Sequence, residues 1–508
     1  MTFENVSASE RHITMPGSTR RFQLWAALFL VAGLPRILGA FLLPNAFGDA
    51  YVYVRDAGTF GAKISSGTLV LTDLYGFWLP LYQLICAVFI AVVGHPYYVA
   101  KVVSAVFGIG ICLLVYDITL RLTANRKAAL FGFLLIALNP LHIFNSASSM
   151  TDVPSAFFVL ASLCFVLKKR WIVASIFAAL AGLTRVDNWM LIGLIPVLLF
   201  LEERRVSLAS IAILIFPPLS WLYISWKATG DWLACFVTRK EYMDALLVAN
   251  PSLASFSLFG IARDAGSLLL SVDVVVLVAC IVGAWKVMQL ARADADSRGS
   301  QTLRFVLTIS VYFFAFMAFI VLAYLTHKQP IIFPRYGLTM FAIGIPILPW
   351  TFLNVTRQRP QWARRLLITI IAACVFEATI QVVGSVGFIN KMNTLGTVSN
   401  YLRSNFQPGS NARVFSDEGT VLALSGIPEN NFVSSSEAPH DRDGFLAWLK
   451  QNNVEYLVFV VKEDSTVSKL FPELSQGAGD EKFQPVMHAG SRFLPANVWV
   501  YRVHYPGN

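Results

Sequence analysis

Long apolar runs separated by short polar segments dominate the first 390 residues of the chain. A helix that crosses a bilayer needs about 20 mainly apolar residues. The matching or nearly matching segments run over residues 22–43, 98–120, 127–145, 153–167, 171–184, 188–201, 206–225, 266–290, 304–325, 335–353 and 366–388. The pattern predicts an α-helical polytopic membrane protein with about 11 transmembrane helices.

A further apolar run, LPLYQLICAVFIAVVG over residues 79–94, is 16 residues long and has no basic flank. If it crossed the membrane, every later basic cluster would move to the non-cytoplasmic side, against the positive-inside rule. We therefore expect a helix that lies in the outer interface.

Basic residues set the orientation, because cytoplasmic loops collect Lys and Arg. With the N-terminal tail (1–21) inside, the short basic clusters fall on the cytoplasmic side. These clusters are Arg11/Arg20/Arg21, Arg121/Arg126/Lys127, Lys168/Lys169/Arg170, Arg204/Arg205, Lys286/Arg292/Arg298/Arg304 and Arg357/Arg359/Arg364/Arg365. An odd number of spans then places the C-terminal domain outside, together with two long loops, 44–97 and 226–265.

After the transmembrane part (22–389), the segment 390–508 has the composition of a soluble domain. Helix-like TVSNYLRSNF is followed by a turn at Pro408-Gly409, strand-like ARVFS, helix-like DRDGFLAWLKQNN, and the strands VEYLVFVV and NVWVYRV. Alternating helix and strand patterns predict a small α/β domain. Nothing in it has catalytic spacing, so we expect an accessory or acceptor-binding role.

Composition supports the membrane assignment and excludes some classes of protein. The 508 residues are 56% hydrophobic and 14% charged, with a mean hydropathy of +0.61, whereas soluble domains carry about 25% charged residues. The net charge of +10 is spread in short clusters rather than gathered into one footprint, which argues against nucleic-acid binding. The six cysteines lie in or beside apolar stretches and include no CxxC pair, so no disulfide framework or cysteine-based metal site is expected.

Two acidic residues follow predicted spans on the outer face. Asp49 comes just after the first span, with Tyr53 and Trp78 later in the same loop, and Asp152 follows the third span. Either carboxylate is also a typical helix cap, and the aromatic residues are typical of a membrane interface. Position alone leaves the functional and the structural interpretation open.

Basic residues on the outer face run against topology and are usually paired or functional. Arg185 and Asp187 share a short outer turn, where a structural ion pair is the simplest interpretation. His327, Lys328 and Arg335 follow the ninth span and suit a bound anion, because Arg offers a fixed fork of donors to phosphate. Snorkelling of these side chains is the alternative.

Two charged residues fall within predicted spans: Arg36 in the first and Glu377 in the last. Both are expected to face the bundle interior, where they would be able to pair. The sequence contains no P-loop, GxGxxG or HExxH motif, so it gives no sign of nucleotide-driven transport.

Five short motifs occur in order on the outer face: DAY (49–51), WLPLY (78–82), SMTDVP (149–154), LTRVDNW (183–189) and PRY (334–336). This order resembles the GT-C superfamily of polytopic membrane glycosyltransferases. The superfamily includes the protein O-mannosyltransferases, the lipid A aminoarabinose transferase and the oligosaccharyltransferase catalytic subunit. The resemblance covers residues 20–390 and is strongest before residue 200. It implies a GT-C fold and transfer of a sugar from a polyprenyl-phosphate donor to a hydroxyl acceptor, with inversion.

The resemblance also implies roles for individual residues. Asp49 matches the acidic residue that acts as general base or positions the acceptor, and Asp152 matches the acidic position of the second loop. Arg335 matches the Arg of the Arg-Tyr motif associated with the donor phosphate, with Tyr336 beside it and His327 and Lys328 nearby. Where the oligosaccharyltransferases carry paired acids that bind a divalent metal, Asp152 stands alone, so a metal is not required by the motif and remains an alternative.

Two other functions are compatible with the sequence. A transporter or flippase for a lipid-linked sugar would also have many spans, but such proteins usually show internal repeats and polar groups near the bilayer midplane. A noncatalytic envelope protein that binds glycan would tolerate changes at Asp49 and Arg335. The expected partners are the lipid-linked donor, membrane lipid and a protein, lipid or glycan acceptor, with no nucleic acid. The sequence does not identify the sugar or the acceptor.

Overall fold

A computed structural model describes residues 18–205, 207–249, 257–293, 301–329, 331–357, 360–407, 411–434, 438–461, 465–490 and 497–505. The expected turn at Pro408-Gly409 and residues 1–17 of the expected tail lie outside the described residues.

Helices make up most of the described chain, as the apolar pattern predicts. The first six are α1 (Ser18–Leu42), α2 (Gly48–Ser66), α3 (Leu81–Val93), α4 (Pro96–Thr123), α5 (Arg126–Ala137) and α6 (Pro140–Ser146). The next are α7 (Asp152–Leu167), α8 (Trp171–Thr184), α9 (Met190–Glu203), α10 (Leu208–Thr229), α11 (Ala234–Ala249) and α12 (Leu258–Val272). The membrane part ends with α13 (Val274–Ala293), α14 (Gln301–Leu325), α15 (Leu338–Gly344), α16 (Ile347–Thr356) and α17 (Pro360–Asn405).

The protein is a multi-pass membrane protein. Within the described residues, six helices are long and apolar enough to cross a membrane by themselves, and two bent helix pairs bring this number to eight. The six run over Phe22–Leu42, Pro96–Thr123, Leu208–Thr229, Val274–Arg292, Gln301–Leu325 and Pro360–Asn405. The count of eleven stays a prediction, because it also requires the 14- to 16-residue helices α7, α8 and α9 to cross.

Breaks in three predicted spans have identifiable causes. The bend of 62° between α5 and α6 lies at Asn139-Pro140, where the Asn139 side chain accepts a hydrogen bond from the His142 amide and Pro140 begins the new helix. The α15–α16 pair bends by 51° at Pro346. The predicted span 266–290 is not one helix: it breaks at Asp273, which has a left-handed φ of 68° and caps α13.

The interfacial interpretation of residues 79–94 agrees with the geometry of α3. This helix has 13 residues, which corresponds to about 20 Å, against the ~30 Å of a bilayer core. It packs against α2 and α4. That α3 lies in the interface rather than crossing the membrane stays a prediction.

Arg36 and Glu377 both face the interior, as expected, but they bind different partners rather than each other. The Arg36 guanidinium donates to the carbonyl oxygens of Ile136 and Ala137 at 3.0 Å each, at the C-terminal end of α5. Glu377 accepts from the Val274 amide at 3.1 Å, at the start of α13. Each charge satisfies backbone groups at a helix end, where four carbonyls or amides have no partner in their own helix.

The C-terminal domain is the predicted α/β unit. Its helices are α18 (Gly419–Ser425), α19 (Arg442–Gln451) and α20 (Thr466–Leu470), and its strands are β1 (Arg413–Ser416), β2 (Phe432–Ser434), β3 (Val454–Val460), β4 (Phe483–Ala489) and β5 (Val498–Val503). The strand order is β2-β1-β3-β5-β4, with β1 parallel to β2 and β3, and β5 antiparallel to β3 and β4.

The two faces of this sheet pack against different helices, because successive strand residues point to opposite faces. Val414 and Val458 share a buried cluster with Leu395 and Leu402 of α17. Residues from the other face, Phe415 and Leu457 among them, pack on α19 and α20. α17 is therefore both the last membrane helix and a core element of the domain, and the expected boundary near residue 390 falls inside it.

Candidate active site

The first turn of α2 presents Asp49 to Arg335, which lies 286 residues later in the chain. One guanidinium nitrogen of Arg335 lies 2.5 Å from Asp49 Oδ2. Asp49 sits at a helix N-terminus, where the unpaired amides and the helix dipole favour a carboxylate. Its side chain is 35% exposed, against 6% for Arg335, so a substrate can reach the carboxylate but not most of the guanidinium.

Aromatic rings and a thioether surround the rest of Arg335. Its guanidinium carbon lies 4.9 Å from the ring centre of Phe47, 5.5 Å from that of Phe333 and 5.4 Å from that of Tyr336. The Met150 sulfur is 3.7 Å from Nη1. Rings that face a cation favour its charge and restrict its motion. Arg335 is thus held as a fixed partner of Asp49.

A second charged cluster consists of three residues predicted from the sequence: Arg185, Asp152 and Asp187. Arg185 Nη1 lies 2.8 Å from Asp152 Oδ1, and Nη2 lies 3.0 Å from Asp187 Oδ2. Burial disfavours the charged form of Arg185, but the two carboxylates more than offset this effect, so its pKa lies above the usual value. The expected Arg185–Asp187 pair is present, and Asp152 joins it.

Backbone and side-chain hydrogen bonds lock the first and second outer loops together. The Ser149 amide donates to Asn45 Oδ1 at 2.8 Å, and the Ala46 amide donates to Ser148 Oγ at 2.9 Å. These bonds lie a few residues before Asp49 and Asp152, so they bring the two predicted acids to one site. Small hydroxyl residues in the second loop thereby have a structural role.

A cavity of about 430 Å³ opens beside these two groups. Its lining includes charged, aromatic and apolar side chains: the cations Arg185, Arg239 and Lys328 with the carboxylate Asp187; aromatic residues that include Tyr53, Trp78 and Tyr336; and apolar side chains of α14 that include Phe319, Ile320, Leu322 and Ala323. One part of the lining is thus rich in cations, and the membrane helix α14 supplies the apolar part. A site of this composition suits an amphipathic ligand with an anionic head.

Tyr336 stands between the cavity and the Asp49–Arg335 pair. Its ring centre is 5.4 Å from the guanidinium carbon of Arg335 and 6.0 Å from that of Arg185. Tyr53 is fully buried nearby, and its hydroxyl is 3.5 Å from Thr151 Oγ1. Burial and the charge of Asp49 raise the pKa of Tyr53, which keeps its hydroxyl protonated. Both tyrosines line the cavity and Tyr336 also contacts Arg335, so the Asp49–Arg335 pair adjoins the cavity.

Arg239 of α11 is a site residue that the sequence interpretation missed. It is half-buried, and its guanidinium carbon lies 5.4 Å from the ring centre of Phe77. Within the part of the chain that the structure describes, it forms no ion pair. Burial and the nearby charge of Arg185 lower the pKa of Arg239. One feature of the sequence could have indicated Arg239: it lies in the predicted outer loop 226–265, where a basic residue runs against the positive-inside rule.

Most of the other site residues that the sequence predicts line the cavity, and one does not. Tyr53, Trp78, Lys328 and Tyr336 line the cavity, whereas His327 is not among its lining residues. His327 follows α14 with a left-handed φ of 55°. Over the described ranges, no three His, Cys, Asp or Glu side chains gather as metal ligands. A divalent metal therefore remains an alternative for which this part of the chain shows no ligand set.

Both the sequence and the fold of the chain are similar to those of known proteins. Residues 82–184 match the family model described as dolichyl-phosphate-mannose-protein mannosyltransferase. The structure is similar to that of ArnT from Cupriavidus metallidurans bound to undecaprenyl phosphate, with a TM-score of 0.56 and 14% identity over 94% of this chain and 98% of that one. The chain has the GT-C fold.

The apo form of the same ArnT gives a TM-score of 0.57 at 14% identity, over 95% of this chain and 98% of that chain. No curated protein matches the chain. The family match covers α3 to α8, which contain Asp152 and end one residue before Arg185. The family match and the fold agree with the GT-C resemblance of the five motifs.

Proposed function

We propose that the protein transfers a sugar from a polyprenyl-phosphate donor to a hydroxyl acceptor on the extracytoplasmic face of the membrane. The observation that carries this proposal is the cavity itself. It joins lipid-facing residues of α14 to three cations, one of which, Arg239, has no ion-pair partner in the described chain. A half-buried cation without an anion is costly unless a ligand supplies the opposite charge.

The apolar part of the cavity suits the prenyl chain. Leu322 and Phe319 line it and are 61% and 44% exposed. A polyprenyl tail is able to remain in the bilayer beside these side chains while its phosphate lies next to Arg239 and Lys328. The ArnT neighbour bound to undecaprenyl phosphate supports this class of lipid.

Charge in the site fits a phosphodiester. The cluster contains four cations (Arg185, Arg239, Lys328, Arg335) and three carboxylates (Asp49, Asp152, Asp187), which leaves one positive charge. A sugar linked to polyprenyl phosphate carries one negative charge and would balance it. The leaving phosphate monoester carries about −1.5 to −2, so the cations favour the charge that grows during transfer.

Asp49 is the proposed general base. The acceptor oxygen attacks the anomeric carbon, its proton passes to the Asp49 carboxylate, and the bond from that carbon to the phosphate oxygen breaks with its electron pair on the phosphate. One such displacement inverts the anomeric configuration. Arg335 orients Asp49 in this proposal. A direct contact of Arg335 or His327 with phosphate stays a prediction that would require a second arrangement of these side chains.

Bond cleavage separates this proposal from a flippase. Purified protein in nanodiscs is incubated with a panel of polyprenyl-phosphate sugars, and with nucleotide sugars as the control donors. Detergent-solubilised envelope from cells that lack the protein supplies the acceptor, and mass spectrometry measures released polyprenyl phosphate and glycosylated product. We expect release from at least one lipid-linked donor and none from nucleotide sugars. Movement of an intact donor across proteoliposomes without release would instead support a transporter.

A further inference from the structure

The C-terminal domain meets the membrane part at the residue directly before Asp49. Thr420 of α18 lies so close to Gly48 that a Cβ atom placed on Gly48 would be 2.6 Å from Thr420 Oγ1. The Thr420 Cβ would be 3.9 Å away, an ordinary contact. Thr420 is 3% exposed. An alanine at position 48 would therefore require the Thr420 side chain or α18 to move.

A second contact binds the same face of α2 to the domain. Tyr51 is 5% exposed and belongs to the buried cluster that contains Val398 of α17 and Val421 of α18. Residues three apart in a helix share a face, so Gly48 and Tyr51 both face the domain. Asp49 faces Arg335 instead. The first turn of α2 thus lies between the domain and the candidate active site.

The position of α18 is itself fixed by the last membrane helix. Arg403 of α17 donates from Nε to the Ser425 carbonyl at 2.9 Å, at the end of α18. Lys391 of α17 lies 3.0 Å from Glu418, which precedes α18 and accepts a hydrogen bond from Thr420 at 3.1 Å. Because α17 runs unbroken from the membrane into the domain, these contacts transmit its position to Thr420.

We infer that the C-terminal domain holds the first turn of α2 through the Thr420–Gly48 contact and thereby sets the position of the Asp49 carboxylate. Its effect on transfer rests on the proposed function. Gly48 and Thr420 are positioning residues, since they touch Asp49's helix and not the reacting atoms. A displacement of about 1 Å at a reacting group is able to lower a rate by about 100-fold, so loss of this contact is expected to lower turnover.

A size exchange across the contact tests the inference. Gly48→Ala introduces the clash, and Thr420→Ala removes the oxygen that causes it. The variants are Gly48→Ala, Thr420→Ala and the double variant. Gly76→Ala in the same outer loop and Gly419→Ala next to Thr420 are matched controls, because a Cβ at either position has no neighbour within 4 Å. Hydrogen–deuterium exchange of the α2 amides and kinetics with the active polyprenyl-phosphate sugar are measured for each.

Gly48→Ala is expected to raise exchange in the first turn of α2 and to lower kcat by about 10-fold or more, with the KM for the donor nearly unchanged. The double variant is expected to restore both quantities most of the way, and both controls should behave as wild type. Unchanged exchange and kcat in Gly48→Ala would overturn the inference. So would a double variant that is as impaired as Gly48→Ala.

The same set of variants distinguishes a failure to fold from a loss of function. If Gly48→Ala does not fold, a folded double variant supports the contact, and an unfolded double variant contradicts it. If wild-type protein transfers no sugar from any lipid-linked donor, the proposed function fails. Exchange in α2 then still decides whether Thr420 holds Gly48, since it requires no substrate.

Discussion

Arg239 and Lys240 are neighbours on α11 with different surroundings. Arg239 is half-buried and lines the cavity, whereas Lys240 is exposed and does not line it. The pair offers a test in which charge, helix and sequence position are matched. Only the side chain that faces the cavity should affect donor use.

Arg239→Ala is expected to raise the KM for the polyprenyl-phosphate donor by about 10-fold or more, because a hydrogen bond to a charged group contributes about 1.5–3 kcal/mol. Arg239→Lys keeps the charge but loses the planar fork of donors, so it should recover only part of the affinity. Steady-state kinetics across donor concentration measure the effect. Lys240→Ala is the control, and an equal loss in that variant would exclude a specific phosphate contact.

Single residues show what the sequence was able to predict at this scale. Asp49 and Asp152 were identified by the short motifs that contain them, and Arg185 by its position on the predicted outer face, where basic residues run against topology. Their partners did not follow, because the Asp49–Arg335 pair joins positions 286 residues apart. Arg36 and Glu377, for which a pair was only one possibility, bind backbone groups instead. Unpaired backbone groups at a helix end satisfy each of these charges, and the helix breaks that create such groups were not predicted.

At the scale of elements, α14 carries the apolar part of the cavity on one face. Ala323 and Leu322 line the cavity, and Val321 is exposed on the outside without lining it. A larger side chain at position 323 would fill space that the proposed prenyl chain occupies. The same substitution at position 321 would point to lipid.

Ala323→Phe is expected to weaken donor use, with a rise in the KM for donor of about 10-fold, because overpacking a filled site costs about 1–3 kcal/mol. Val321→Phe should leave kinetics unchanged. The comparison uses the same donor assay and a thermal unfolding measurement for both variants. Equal kinetics in the two variants would contradict the assignment of this part of the cavity to the lipid.

Arg36 stabilises the break between α5 and α6. It donates to two carbonyls at the end of α5 and lies 2.7 Å from His142 Nδ1 in α6. Arg36→Leu leaves these acceptors without a donor in a buried place, so stability should fall by about 2 kcal/mol or more. The midpoint of thermal unfolding of purified protein measures this change. Leu38→Ala, at a 48% exposed position of the same helix, is the control; a shift no larger than that control would argue against the role of Arg36.

The sequence pattern predicted some helices and strands and missed others. The strands β1, β3 and β5 were predicted because each has a run of apolar or aromatic residues. β2 has only three residues, and β4 contains Pro485 and several exposed positions at the sheet edge, so neither gave a strand pattern. The break at Asp273 was missed because apolar residues flank it on both sides.

For the whole molecule, the proposed function requires the site and the C-terminal domain to lie on the extracytoplasmic side. This orientation is a prediction from the basic clusters, and cysteine accessibility tests it. Lys450 is exposed on the domain, and Lys127 is exposed in the predicted cytoplasmic cluster between the second and third spans. The test introduces Lys450→Cys and Lys127→Cys separately. A membrane-impermeant maleimide should label position 450 in intact cells and position 127 only after permeabilisation. The opposite labelling pattern would reverse the topology.

The central claim is that Asp49 accepts the acceptor's proton during transfer from a lipid-linked sugar. The most direct test compares turnover of wild type with that of Asp49→Asn, using the polyprenyl-phosphate sugar that the donor panel identifies. General-base catalysis contributes about 10²–10⁴-fold to a rate. Turnover should therefore fall by at least about 100-fold, while the folded protein still binds donor. Asp73→Asn, which changes an acid paired with Lys63 in the same loop, should retain wild-type turnover. Full turnover in Asp49→Asn would contradict the claim.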